Sequence, residues 1–233
     1  MNQNLAFTLV LLAVLGLLVG SLVYMSNRPP DAQGGGPAAA SPTGPGAPEA
    51  PATADPALLV REDSRHLDDV EDAPVTVVEF LDFECEACRA QFPVIERVRE
   101  EYDGRIDVVV RYFPLPGHAN SRPAAAAVEA AARQGALEEM YARMYETQAE
   151  WGESAQDRSA VFAGFAEELG LDMDEFTADV ESEEVAARVQ ADFDDGVALG
   201  VQGTPTIFVN GVRTPSMPSY GVLAEMIDAE LAE

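Results

Sequence analysis

The most hydrophobic stretch of the chain lies close to its start and predicts a transmembrane helix. Leu5 to Met25 is an unbroken apolar run, and no charged residue occurs between Asn2 and Asn27. Because about 20 apolar residues in a helix cross the hydrocarbon core of a bilayer, this run is long enough to span it. We therefore predict that residues 1–27 form an N-terminal membrane anchor.

A cleaved signal peptide is the alternative interpretation of this run. Signal peptides carry a positive n-region and an apolar segment of about 7–15 residues, followed closely by small residues at the cleavage site. Here the n-region MNQN holds no Lys or Arg, the run is longer, and residues 24–28 make a poor cleavage site. Arg28 is the only basic residue near the span, and by the positive-inside rule it weakly favours a main domain inside the cell. The chemistry of the cysteines, described below, favours the opposite orientation and outweighs this single charge.

The composition changes after the apolar run and marks two further segments. Residues 28–56 hold half of the 16 prolines together with a triple glycine, and almost no large apolar side chain. Such a segment cannot bury a core, so we predict a flexible Pro/Gly/Ala-rich linker. Residues 57–233 carry nearly all the charge and are long enough for one domain with a sizeable core.

The pattern of apolar and polar positions within residues 57–233 predicts an α/β domain. Apolar, β-branched runs predict strands at residues 75–81, 106–113 and 206–209. Asn210-Gly211 predicts a tight hairpin turn that leads into a short partner strand at residues 212–214.

Apolar residues at helical spacing predict helices between and after these strands. One covers residues 88–102, and a long helical stretch opens with Ser121 as N-cap and continues past Gly135. The remaining helices are predicted around residues 161–169, 173–180, 185–197 and 217–231.

The charge and the cysteine count exclude several classes of function. All 14 basic residues are arginine, 41 residues are acidic, and the net charge is −27. This balance argues against binding nucleic-acid phosphates or anionic lipids through a basic face. Two cysteines cannot form a scaffold of several disulfides.

The two cysteines form a Cys85-x-x-Cys88 motif where a predicted strand meets a predicted helix. The first sulfur then lies at the helix N-terminus, where free amide groups and the helix dipole lower its pKa below about 8.5. The second sulfur lies one turn later and can close a small disulfide ring. Cys85 can attack a partner disulfide and Cys88 can resolve the mixed disulfide, so the motif predicts thiol–disulfide exchange.

Three other interpretations of the motif stay open. Half a zinc site would need two more ligands, and the chain has only His66 and His118 as histidines. An inert structural disulfide is the second possibility. A chance pair of buried cysteines is the third, although we expect the flanking Glu84 and Glu86 to be exposed.

These motifs together resemble the thioredoxin superfamily, specifically the membrane-anchored DsbA-like thiol:disulfide oxidoreductases. The resemblance covers most of residues 70–233. Residues 77–88 look like the first core strand of the family running into its active-site motif, and Pro93 matches the proline that kinks the active-site helix. Residues 201–211 are similar to the family's strand that opens with a cis-proline.

The resemblance implies a thioredoxin fold with an inserted helical domain at about residues 117–200, preceded by one transmembrane helix. Besides the two cysteines, it implies that Glu79 accepts a proton from the Cys88 thiol through water. It also implies that Thr204 and Pro205, joined by a cis bond, bind a substrate strand. A solvent-facing Glu79 and a merely structural Pro205 stay open. No metal is expected, and no cofactor beyond the redox-active disulfide.

The function that the resemblance implies is a membrane-tethered oxidase that donates the Cys85–Cys88 disulfide to exported or unfolded proteins. A membrane quinone-linked partner would reoxidise it, and the domain would lie outside the cytoplasm, where disulfides persist. A reductase or isomerase kept reduced by a membrane electron donor is one alternative. A non-catalytic, membrane-anchored binding or chaperone module is another.

The residues between and before the cysteines predict a mild oxidant. Many DsbA-like oxidases carry Pro-His between the cysteines, whereas this chain carries Glu86-Ala87. The carboxylates of Glu84 and Glu86 are expected to raise the pKa of Cys85 by like-charge repulsion. His118 is expected to have a structural role.

Overall fold

The computed structural model describes residues 53–232, which belong to the second of two compact units, Ala50–Glu233. The predicted anchor at residues 1–27 and most of the predicted linker at residues 28–56 lie outside the described residues, so these boundaries stay predictions. Every helix between residues 53 and 232 is too short or too polar to serve as a membrane span.

The strands of residues 53–232 form a sheet with the order β1-β3-β2-β4-β5. Their bounds are Arg65–Asp68 for β1, Val75–Leu81 for β2, Ile106–Tyr112 for β3, Thr206–Val209 for β4 and Val212–Arg213 for β5. Strands β2 and β3 run parallel, and the other neighbouring pairs run antiparallel. The central strands are mostly apolar because both faces of the sheet are covered, although Glu79 of β2 and Arg111 of β3 are buried charged-type residues. The strands predicted from the apolar runs are confirmed.

The helices lie before, between and after these strands. Their bounds are Pro56–Leu59 for α1, Glu86–Glu101 for α2, Ser121–Arg133 for α3, Leu137–Trp151 for α4, Ser159–Glu168 for α5, Met173–Val180 for α6, Glu183–Ala198 for α7 and Tyr220–Leu231 for α8. Helix α2 is the crossover that a parallel pair such as β2 and β3 requires. Helices α3 to α7 fall between β3 and β4, which confirms an α/β fold with an inserted helical domain.

The long helical stretch predicted after Ser121 is in fact two helices. Gly135 has a φ of +79°, which no α-helix contains, and it lies in the turn that separates α3 from α4. Ser121 is the first residue of α3, and Asn120 takes the N-cap position. Helix α4 buries one apolar face, which consists of Met140, Tyr141, Met144 and Tyr145.

Two elements near residue 60 were not predicted, and the last helix begins later than predicted. Helix α1 is a single turn capped by the Asp55 carboxylate. Strand β1 has the polar sequence RHLD, in which Leu67 alone is buried, and it pairs with β3 at the sheet edge through an irregular register. Helix α8 begins at Tyr220 instead of residue 217, because the Ser219 hydroxyl caps it.

Helix α7 packs very closely against one face of the sheet. A Cβ atom at Gly196 would lie 2.6 Å from the Phe113 ring and 3.0 Å from the Phe80 ring, so glycine is required at this contact. Phe193, one turn earlier, stacks on Phe113 with ring centroids 4.7 Å apart. Helix α7 of the inserted domain therefore packs directly on one face of the sheet and forms part of the same hydrophobic core.

A buried cluster of charged groups also joins α7 to β3. Arg111 is fully buried in β3 and forms ion pairs with Asp192 and Asp195 of α7. Its guanidinium also donates to two backbone carbonyl oxygens of α1. Arg61 and Arg188 pair with the same two carboxylates. Each buried charge thus has a partner of opposite sign, as burial requires.

Candidate active site

Cys85 lies at the N-terminus of α2, where it is the N-cap residue. Its side chain is mostly buried, and its Sγ lies 3.4 Å from the carbonyl oxygen of Thr204. The adjacent Cys88 thiol, then Thr204 and the first backbone amides of the helix, lower the pKa of Cys85 from 9.0 to about 5, while burial opposes them. Cys85 is therefore a thiolate at neutral pH.

Cys88, further along α2, has the opposite character. It is 1% exposed, and burial, the Cys85 thiol and the charge on Glu79 raise the pKa of Cys88 well above 9.0. The two cysteines are reduced in this structure, with no disulfide between them. A reactive thiolate beside a buried thiol is the arrangement that attack and resolution in thiol–disulfide exchange require.

The loop before β4 approaches Cys85 from the other side of the site. The Thr204–Pro205 peptide bond is cis, as the resemblance implies. The loop borders a cavity of about 390 Å³ lined by residues 202–207 and 213–216. The Thr204 hydroxyl is buried in this loop. The structure therefore brings both of these predicted site residues next to Cys85.

Glu79 is buried in the middle of β2, where it lies opposite Val110 of β3 and Ile207 of β4. This burial excludes the alternative in which its side chain faces solvent. Burial, followed by the charges of Glu96 and Cys85, raises the pKa of Glu79 from 4.5 to about 8. A carboxyl group with such a pKa can hold or release a proton near neutral pH.

Asp82 is a hydrogen-bonding centre that the sequence analysis did not identify. Its buried carboxylate accepts hydrogen bonds from the backbone N–H groups of Glu84 and Leu115 at 2.9 and 3.0 Å. The Ser121 hydroxyl lies 2.6 and 2.7 Å from its two oxygens, and His118 Nδ1 lies 2.7 Å from Oδ2. The signal in the sequence was an acidic residue directly after an apolar strand, since a buried carboxylate needs partners.

The inserted helical domain supplies a side chain that holds the active-site loop. Gln148 of α4 is buried, and its Nε2 donates to the carbonyl oxygens of Phe83 at 2.7 Å and Cys85 at 3.0 Å. These carbonyl groups precede or begin α2. Gln148 thus fixes the backbone on which the Cys85 sulfur is carried.

Glu84 is buried, contrary to the expectation that both acidic neighbours of Cys85 are exposed. Its carboxylate accepts hydrogen bonds from the Asn120 backbone N–H at 2.6 Å and from Asn120 Nδ2 at 3.5 Å. Glu86 is exposed, as expected. The prediction was wrong for Glu84 because its partner lies 36 residues further along the chain.

An aromatic cluster surrounds the buried side of the motif. It consists of Phe83, Phe92, Tyr141 and Tyr145, whose ring centroids lie 5.2 to 6.1 Å apart in contacting pairs. These apolar rings belong to the same core cluster as Cys88. Burial in this core cluster disfavours a Cys88 thiolate.

Within residues 53–232, one group of side chains has metal-ligand character. His66, Asp69 and Asp107 place their ligand atoms within 4.8 Å of one another at the β1–β3 edge of the sheet. His66 Nδ1 is already hydrogen-bonded to Asp107 at 2.7 Å. Neither cysteine belongs to such a group in the described part of the chain, so the half zinc site gains no support.

Sequence comparison identifies a protein family and several individual proteins to which this chain is similar. The sequence profile of the family described as Thioredoxin matches residues 70–229. A probable disulfide bond formation protein D of Bacillus anthracis is 35% identical over 167 residues, which are 69% of this chain and 76% of that protein. The Na(+)/H(+) antiporter NhaA 3 of Salinispora tropica is 38% identical over 155 residues, or 66% of this chain. The chain spans only 23% of the length of that antiporter.

Solved structures with the same fold include DsbA-like proteins. A thioredoxin-like oxidoreductase from Silicibacter pomeroyi has a TM-score of 0.65 and 27% identity, covering 77% of this chain and 99% of that one. Oxidised BdbD from Bacillus subtilis has a TM-score of 0.67 and 22% identity, covering 78% of this chain and 99% of that one. The described domain is thus similar to thioredoxin-like domains throughout its length.

Proposed function

The chain belongs to the thioredoxin family, and from this premise we propose that it is a DsbA-like thiol:disulfide oxidoreductase acting through Cys85 and Cys88. The observation that carries the proposal is the contrast between the two thiols. The pKa of Cys85 is lowered to about 5, whereas the pKa of the buried Cys88 is raised well above 9.0. An inert cysteine pair needs no such contrast, but exchange needs one reactive thiolate and one resolving thiol.

Oxidation of a client begins from the Cys85–Cys88 disulfide. A client thiolate attacks the Cys85 sulfur, the bond to Cys88 breaks, and Cys88 leaves as a thiolate that takes a proton from Glu79. A second client thiolate then attacks the client sulfur of the mixed disulfide and releases Cys85 as a thiolate. The client has lost two electrons and formed a disulfide, and the reduced protein passes those electrons to a reoxidant.

The low pKa of Cys85 supports the oxidising direction. A thiol of low pKa is a good leaving group, and a stabilised thiolate favours the reduced form, which makes the disulfide a strong oxidant. Glu84 directs its carboxylate to the Asn120 backbone N–H, and the pKa of Cys85 is lowered despite this nearby acidic residue. A milder oxidant than the relatives with Pro-His stays our prediction, because Glu86 adjoins Cys85.

We propose an extracytoplasmic, membrane-tethered setting for this chemistry. The apolar run of residues 5–25 supports a tether, and disulfide donation requires an oxidising compartment. The clients would be exported or unfolded proteins, whose cysteines meet Cys85 beside the Thr204–Pro205 loop. A membrane quinone-linked partner would reoxidise the reduced protein.

The equilibrium reduction potential of the Cys85–Cys88 pair tests the proposal. We expect the purified chain to equilibrate with glutathione at a potential between about −120 and −180 mV, and to oxidise a reduced model protein stoichiometrically. A potential near about −270 mV would identify a reductase instead. A chain that forms no mixed disulfide with glutathione would support the non-catalytic binding module.

Replacing Glu79 with glutamine is expected to slow the steps in which Cys88 gains or loses a proton by about a hundredfold, the order of general acid–base catalysis. The rate dependence on pH near 8, which follows from the raised pKa of Glu79, should disappear. Stopped-flow kinetics of mixed-disulfide resolution measures both effects. Glu86→Gln is the control, because this exposed carboxylate also adjoins the motif.

The same Glu79 substitution is expected to stabilise the protein at neutral pH. Between about pH 4.5 and 8, the folded protein keeps a proton on Glu79 that the unfolded chain has released, so stability falls as pH rises through this window. Glutamine removes this dependence. The denaturant midpoint of unfolding is measured at pH 5 and pH 8 for the parent and for Glu79→Gln. An equal fall of the midpoint from pH 5 to pH 8 in both proteins would contradict the role assigned to Glu79.

A further inference from the structure

Asp82 connects His118 to both cysteines of the motif. Its backbone N–H donates to Cys88 Sγ at 3.5 Å, and its carbonyl oxygen accepts from the Cys85 backbone N–H at 3.1 Å. Its side chain contacts His118, with 2.7 Å between Oδ2 and the ring Nδ1. A change in the charge of His118 therefore acts on a residue that touches both parts of the reacting pair.

His118 is the titratable partner of the buried Asp82 carboxylate. The other groups that donate to this carboxylate are two backbone N–H groups and the Ser121 hydroxyl, and none of them changes charge near neutral pH. Whether a positive charge lies beside the Asp82 carboxylate therefore depends on the protonation state of the His118 ring. The His118 side chain is 32% exposed, so this ring can exchange protons with solvent.

The titratable groups that act on the pKa of His118 are Asp82, Cys85 and Glu84, all of them acidic. Burial lowers the pKa of His118, but the Asp82 hydrogen bond and the charges of Asp82, Cys85 and Glu84 outweigh it and raise that pKa above 6.5. The contribution of Cys85 exists only while Cys85 is a thiolate. In the disulfide form Cys85 carries no charge, so the ring binds its proton less tightly than in the reduced form.

We propose that His118, held by Asp82, is a positioning residue that takes up a proton when the Cys85–Cys88 disulfide is reduced, which makes the oxidising power of the site depend on pH near neutrality. This inference rests on the proposed function, since it requires two redox states. A client dithiol supplies two electrons and two protons. One proton forms the Cys88 thiol, and the other is shared between His118 and solvent because Cys85 stays a thiolate.

Reduction of the disulfide and protonation of His118 are thermodynamically linked, so each must favour the other by the same factor. If thiolate formation at Cys85 strengthens proton binding by His118, then a protonated His118 favours the reduced form by the same factor. The disulfide is therefore a stronger oxidant below the pKa of His118 than above it. Asp82 positions the ring, and neither residue exchanges electrons.

The variant test uses the two histidines of the chain as a matched pair. His118→Gln keeps a donor for Asp82 but cannot be protonated, and His66→Gln alters a ring with the same 2.7 Å contact to an aspartate, Asp107. The full chain and both variants are equilibrated with glutathione buffers from pH 6 to 8.5. We expect His118→Gln to disfavour the reduced form about fivefold or more at pH 6 and to match the parent at pH 8.5. His66→Gln should match the parent throughout.

A second measurement needs no variant and therefore no assumption about folding. The two histidine rings are titrated by NMR in the oxidised and in the reduced protein, and the pKa of His118 is expected to be higher in the reduced form while that of His66 is unchanged. Identical titrations of His118 in both forms would overturn the inference even if exchange with glutathione is normal. A parent protein that does not exchange with glutathione at any pH would instead overturn the proposed function.

Discussion

Replacing Cys85 with serine is expected to abolish thiol–disulfide exchange, whereas Cys88→Ser is expected to trap mixed disulfides with client proteins. Cys85 has the lowered pKa and the contact with the Thr204 loop, so it forms the bond to the client. A serine hydroxyl cannot replace it, and removing a covalent nucleophile costs about a thousandfold or more in rate. When exchange starts from the reduced protein, Cys85 attacks a client disulfide and the buried Cys88 resolves the adduct, so the loss of Cys88 leaves the bond between Cys85 and the client intact.

Non-reducing electrophoresis after acid quenching distinguishes the two variants. Adducts should accumulate with Cys88→Ser and be absent from Cys85→Ser, and reductant should release them. Equal amounts of adduct in both variants would mean that the two sulfurs are equally reactive. That result would contradict the different reactivities inferred for Cys85 and Cys88. Equal binding of an unfolded client by both variants, without adducts, would favour the chaperone alternative.

Replacing Arg111 with methionine is expected to destabilise the domain by about 3–5 kcal/mol, the usual cost of breaking a buried ion pair from one side. Arg111 is fully buried and pairs with Asp192 and Asp195 while it donates to the carbonyl oxygens of α1. Methionine fills much of the volume but leaves two carboxylates and two carbonyl groups short of donors. Arg61 and Arg188 contact the same carboxylates and can replace only part of the lost charge.

Urea unfolding followed by the fluorescence of Trp151 measures this loss, since this is the single tryptophan and it is buried. Arg143→Met is the matched control, because Arg143 pairs with Glu168 at the surface and such pairs contribute about 0–1 kcal/mol. A shift of the unfolding midpoint no larger than that of the control would mean that the buried cluster does not stabilise the fold.

The elements that could be predicted from the sequence are those with a clear local pattern of apolar or turn-forming residues. Strand β2 is apolar at nearly every position because it is covered on both faces, and the Asn210-Gly211 turn follows from residues that accept positive φ. Strand β1 escaped prediction because its polar sequence is held by pairing with β3, an interaction between distant parts of the chain. The break at Gly135 was missed because helical periodicity continues on both sides of it.

The site was predictable where residue types imply chemistry, and not where long-range contacts decide the environment. The Cys85-x-x-Cys88 motif pointed to exchange, and the resemblance supplied Glu79, Thr204 and Pro205. The burial of Glu84 depends on Asn120, and the hydrogen bonds of Asp82 depend on a loop more than 30 residues away. Such contacts have no signature in the local sequence.

The hydrogen bonds from Gln148 and Asn120 limit how relatives of this protein can recombine. A chimera that takes its inserted helices from a parent without counterparts of Gln148 and Asn120 leaves the carbonyl groups of Phe83 and Cys85 and the Glu84 carboxylate without these partners. The cysteine loop and the first inserted helices therefore have to be inherited together. Crossovers before residue 83 or after residue 148 preserve the set, and crossovers between them divide it.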